Sequence, residues 1–161
     1  MYRAYEADSG VVSISGTSAT AALYFAAYTA ADCNIVKIKV AIEAVSSPSP
    51  PSNGSVLFQL SKVTGTVGGG ASVTPTPVGQ TTLAAQTTVK SGSTALTGLT
   101  QGAEYWAHPL PFTAGAAWAD DHENTGLEIN IAASGLYCFY FTAASGAGSG
   151  MNARIITWFA E

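Results

Sequence analysis

Apolar residues in this chain come in short runs rich in Val, Ile, Phe and Tyr, and clusters of Gly, Ser, Pro, Asn and Thr separate them. That punctuation leaves almost no room for helices and reads as an all-β grammar. The clearest run is Ile35-Val-Lys-Ile-Lys-Val-Ala-Ile-Glu-Ala44. Val36, Ile38, Val40 and Ile42 point one way while Lys37, Lys39, Ala41 and Glu43 point the other, the period of a strand with one buried and one wet face. Further strands are expected from Val11 to Ser15, Thr20 to Tyr28, Val56 to Val63, Leu127 to Ile131, Leu136 to Thr142 and Asn152 to Phe159. Alanines in Thr20 to Tyr28 leave some helix ambiguity, which its aromatic residues and flanking Thr resolve towards strand. Leu136 to Thr142 is apolar on both faces and is therefore expected to be central. Tyr105 to Phe112 surrounds Pro109 and Pro111, so it is an edge strand at best.

Between these runs lie segments that cannot join a ladder in the same way. Ser46-Ser-Pro-Ser-Pro-Pro-Ser-Asn-Gly54 lacks donors at its prolines and ends in an Asn-Gly turn signal, so an exposed loop is expected. From Gly65 to Gly102 the chain turns polar and glycine-rich, with Gly68-Gly-Gly70 followed by Thr74-Pro-Thr-Pro77. Long loops or edge strands are expected there, with Gln80 to Lys90 as an extended piece and the glycines as points of flexibility. The tally is about eight strands in 161 residues, enough chain to bury one sizeable core. The expectation is one domain over residues 1–161, all-β, a jelly-roll-like β-sandwich with long Pro/Gly/Thr-rich loops.

Charge narrows the function. Hydrophobic residues make up 47% of the chain and charged residues only 10%, well below the roughly 25% of an ordinary soluble domain. Much of the exterior must then be Ala, Thr, Ser and Gly, which suits a subunit packed against neighbours, and also a robust secreted module. A formal net charge of −4 argues against nucleic acid as a partner, and Arg3, Lys37, Lys39, Lys62, Lys90 and Arg154 are scattered in sequence. The opening Met-Tyr-Arg-Ala-Tyr-Glu-Ala-Asp has no apolar run behind it, so no export signal is expected. Leu136 to Ala144, the longest apolar stretch, is less than half a membrane-spanning helix, so no membrane partner is expected.

Chemistry-bearing residues are sparse. Cys33 and Cys138 are too few for a disulfide framework and too isolated for zinc; reduced thiols are expected, with a bond between the two left open. Of two histidines, His108 sits between Trp106 and Pro109 and reads as a packed or rim residue. His122 belongs to Asp120-Asp-His-Glu-Asn124, which offers oxygen ligands and an imidazole for a hard cation but lacks the spacing of a calcium loop. Gly68-Gly-Gly70 is not followed by the Gly-Lys-Ser/Thr of a phosphate loop. Tyr105, Trp106 and Trp118 are candidates for a flat carbohydrate platform, set against their more ordinary role as core. No catalytic, cofactor-binding or metal residue is assigned, no cofactor is expected, and the chain is expected not to be an enzyme.

Taken whole, the chain resembles the small β-sandwich structural proteins encoded among tailed-phage head genes. The resemblance lies in a short strand after Tyr-Arg-Ala near the start, a Ser/Thr/Ala-rich second strand, and the Lys-bearing strand Ile35-Val-Lys-Ile-Lys-Val40. It continues through the Thr/Pro/Gly-rich middle, Gly135-Leu136, and the ending Ile155-Ile-Thr-Trp-Phe-Ala-Glu161. Pro48 to Pro51 and Asp120 to Asn124 depart from the pattern. The resemblance implies a capsid decoration, cement or minor head protein on the virion exterior, made in the host cytoplasm. Its implied partners are the major capsid protein and its own copies, a trimer favoured, with terminal strands in the subunit contacts. Thr157 is expected on the solvent-facing side of the last strand, where a charged substitution would disturb oligomers more than folding. The alternative is a carbohydrate- or receptor-binding β-sandwich module, such as a tail or head-fibre component.

Overall fold

The computed structural model describes residues 3–14, 18–45, 54–79, 82–111, 115–121, 128–143 and 151–161. Among them are eleven strands and no helix: β1 (Ala4–Asp8), β2 (Val12–Ile14), β3 (Thr20–Ala26), β4 (Cys33–Val45), β5 (Ser55–Val73), β6 (Thr76–Val78), β7 (Thr88–Pro111), β8 (Ala117–Asp121), β9 (Ile129–Ile131), β10 (Leu136–Ala143) and β11 (Met151–Ala160). All pairings are antiparallel. The first sheet runs β6-β1-β11-β4-β8, with β2 beside β11 and β9 beside β4; the second joins β10, β3, β7 and β5 into a closed ring. Two antiparallel sheets around a shared core make the expected β-sandwich.

The main core lies between the sheets and is built by period-two burial. Along β11, Ile155, Thr157 and Phe159 are buried while Arg154, Ile156 and Trp158 alternate outward. Thr157 is therefore not solvent-facing: it is 0% exposed, and its hydroxyl donates to the Lys37 carbonyl at 2.9 Å. The reason is register, because β11 is central and Thr157 shares the parity of Phe159, whose ring stacks on Tyr5.

The pairing of β4 with β11 slips twice, at Val36 and at Glu43. Trp158 pairs with Lys37 but Phe159 pairs with Ile35, so Val36 is an extra residue. This β-bulge turns Ile35 into the core and leaves Val36 half-buried, while Ile38, Val40 and Ile42 stay buried as expected. A further bulge, at Ala22 of β3, places Ala22 and Leu23 together in the core.

The second sheet differs from expectation where the sequence looked loop-like. β5 and β7 pair from Ser55↔Pro111 to Val73↔Val89, and Gly65–Gly102 is mostly strand. Ser55 to Val63 lies between β10 and the end of β7; Val89 to Ser91 lies between β3 and the end of β5. Both ends of one hairpin thus belong to the sheet, at opposite edges, and residues 64–70 with 92–103 arch between them. Under the arch lies a second, smaller core: Tyr24, Val63, Cys138 and Tyr140, with Val67, Leu96, Leu99 and Leu136 around them. The expectation that β10 is central holds, because one face packs on the first sheet and the other is covered by the arch.

Bending the ribbon needs backbone that side chains would block. Gly65 has φ +103°, and a Cβ there would lie 2.2 Å from the Gly98 carbonyl oxygen; Gly98 has φ +75°. Gly68 to Gly70 are strand residues and not merely flexible, with Gly69 and Gly70 at positive φ where the register shifts.

Candidate functional site

The aromatic candidates converge at one open edge of the sandwich. Trp106 and His108 share a face of β7, the edge of the second sheet there, while Trp118 comes from β8, the edge of the first. His108 stacks on Trp118 with ring centroids 3.8 Å apart and planes 15° from parallel. Trp106 sits 5.8 Å from Trp118 and 6.3 Å from Phe139, edge-on to the latter. Its indole N–H donates to Asp120 at 3.1 Å. The rings face each other across the gap and close the core, so Trp106 and Trp118 do not lie as a flat platform. Tyr105 stands apart: it is the extra residue where Leu60 pairs with Trp106 and Ser61 with Glu104. Its ring meets Tyr137 edge-on at 5.1 Å while 49% of it stays exposed. Burial, with Tyr105 alongside, raises the pKa of the Tyr137 hydroxyl.

The acidic candidates are divided by strand geometry. Asp120 and Asp121 are consecutive on β8 and point to opposite faces, Asp120 towards Trp106 and Asp121 towards Lys37 at 3.0 Å. His122, Glu123 and Asn124 lie outside the described residues. Among the described residues, no group of three His, Cys, Asp or Glu is gathered as a metal would require.

Cys33 and Cys138 are free thiols, Cys33 in the main core and Cys138 under the arch. Burial pushes each thiol pKa up to about 12, away from the thiolate form that a nucleophile needs.

The surfaces that the fold leaves open are of two kinds. The arch is exposed along much of its length and carries no charged residue; between Val63 and Ala103 the one charge is Lys90, where β7 rejoins the sheet. A groove of about 450 Å³ beside it is lined mostly by small residues, among them Ala19, Ala21, Gly92 and Ser93, with Val11 and Leu96. The outer face of the first sheet, by contrast, is charged in rows. Thr76, Glu6, Trp158, Lys37 and Asp121 align across β6, β1, β11, β4 and β8; the next row is Asp8, Ile156, Lys39 and Ala119. Lys37 lies 5.6 Å from the centre of the Trp158 ring. Arg154 donates to Asp8 through Nε at 2.8 Å and through Nη2, and reaches Glu43 at 3.7 Å. Three of the six basic residues, scattered in sequence, thus share this face with four carboxylates. Sequence reading placed Lys37, Lys39 and Glu43 outward but missed Glu6, Asp8, Ile156 and Trp158, although the alternation of Arg154, Ile156 and Trp158 carries the same period-two signal.

Compared with known protein families, curated proteins and solved structures, the chain matches none.

Proposed function

We propose that this protein is a non-enzymatic virion structural subunit that decorates or cements the outer capsid of a tailed phage by packing against neighbouring major capsid subunits. The observation that carries the reading is the arch. Its exposed side is almost entirely Gly, Ala, Ser and Thr, and it carries no charge. Among the described residues, each strand of its middle pairs only with the other. Such a surface approaches another backbone closely and has little charge to hold it in water. In a shell, many such contacts act together, and avidity exceeds the affinity of any single one. The family resemblance supports the same reading, and the virion exterior is the location it assigns.

The test is detection in purified particles from the source, with peptide mass spectrometry for copy number and antibody-labelled electron microscopy for position. Copies spread over the head at about the number of shell subunits support decoration. A few copies at a vertex or tail overturn it in favour of a fibre component, and absence from particles overturns the virion reading altogether. A sugar- or receptor-binding module would then lead, with exposed Tyr105 as its first contact.

A further inference from the structure

We infer that the outer face of the first sheet is a two-fold docking surface for a second copy of this chain. The inference deepens the proposed structural role and rests on it only for the use to which the pair is put. Its basis is the order of charge across the strands. β1 presents Glu6 and Asp8, β11 presents Trp158 and Ile156, and β4 presents Lys37 and Lys39, each set in the same two rows. The stripes therefore run acidic, apolar, basic.

A two-fold axis along β11 turns this face onto itself. Rotation about that axis keeps each row at its own height and exchanges the two sides, so β1 of one copy covers β4 of the other. Glu6 then meets the second copy's Lys37, Asp8 meets its Lys39, and Trp158 and Ile156 meet their own counterparts on the axis. Asp121 meets Thr76 of β6, so no carboxylate faces a carboxylate in these rows. Arg154 meets its counterpart as well, but Asp8 and Glu43 already neutralise it. Each contact off the axis occurs twice, as an isologous interface requires. The face measures about 34 Å along β11 by 20 Å across five strand positions, roughly 700 Å², close to the ~800 Å² per partner of a standard interface. Packed sheets cross at about 30°, which displaces residues one strand from the axis by only about 2.5 Å, within reach of a lysine side chain. A three-fold arrangement makes no use of this pattern, so the pair is a dimer and not the trimer that the family resemblance implies.

Charge reversal tests it on the full chain. Sedimentation equilibrium of the wild type is expected to give a dimer that weakens as salt is raised. Glu6→Lys and Lys37→Glu each place like charges together twice, and each alone is expected to raise the dimer Kd by at least about tenfold. An equimolar mixture of the two puts every introduced charge opposite its complement and is expected to restore the dimer. Recovery in the mixture also shows that both variants are folded. A wild type that stays monomeric up to about 0.5 mM overturns the inference; so does a dimer insensitive to both substitutions, or a mixture that does not recover. Loss of particle binding by Trp158→Glu, with the wild type monomeric, would assign the face to a shell protein instead. The sedimentation measurements need only purified protein, so their failure is separate from absence of the protein from virions.

Discussion

Asp8 accepts hydrogen bonds from Arg154 and from the Gly10 backbone N–H, the latter at 2.8 Å. The Arg154 bond, partly opposed by burial, holds its carboxyl below the ordinary value of 3.8. Because the folded pKa is depressed, the stabilisation is complete at neutral pH, begins to fade as pH falls through the unfolded value near 4, and is lost below the folded one. Solvent reaches both side chains, so the pair is worth at most about 1 kcal/mol. Asp8→Asn should lower the urea midpoint at pH 7, and the gap from wild type should close by about pH 2; a gap of equal size at both pH values would show that the charge is irrelevant. Residue parity is also where sequence reading failed at Thr157. Trp158 and Phe159 are adjacent aromatics, each a credible core residue, and composition alone does not say which of them faces inward.

Strands rich in large β-branched or aromatic residues were legible and strands poor in them were not. β4, β10 and β11 announce themselves through Ile, Val and Phe, whereas β1 offers only Tyr5 and Ala7 to the core and β8 only Trp118 among alanines and aspartates. The arch was hidden for a different reason. Its strands are held by a backbone ladder that any residue can make, so Gly, Thr and Ser disguised them as loop. Glycine has a specific task there: at Gly65 the chain combines φ +103° with a carbonyl oxygen 2.2 Å from where a Cβ would stand. Gly65→Ala should destabilise the protein by about 2 kcal/mol, through backbone strain together with displacement of the facing strand. Hydrogen exchange should quicken first in residues 64–70 and 92–103. Unchanged stability would mean that the ribbon has a second route across the bend.

At the scale of the molecule, one hairpin closes the second sheet on itself and so gives the sandwich two cores with β10 between them. An aromatic chain from Tyr5 through Phe159, Phe25 and Phe139 to Trp106 runs through the main core. The Glu161 carboxylate, bound by both Thr87 donors at 3.0 and 2.8 Å, ties the chain end to the start of β7. The small core has fewer members, so the arch should open locally while the main core stays shut. The two thiols report on this separately, since Cys33 is in one core and Cys138 in the other. In the wild type both should react slowly with a thiol reagent, being buried and protonated. Truncating the arch's apolar underside with Leu96→Ala and Leu99→Ala should speed labelling of Cys138 by about tenfold or more, with Cys33 unchanged. Acceleration of both thiols together would mean that the arch opens only when the sandwich unfolds. The surface proposed to meet a neighbouring subunit would then be as rigid as the main core, and the proposed docking would proceed without rearrangement of the arch.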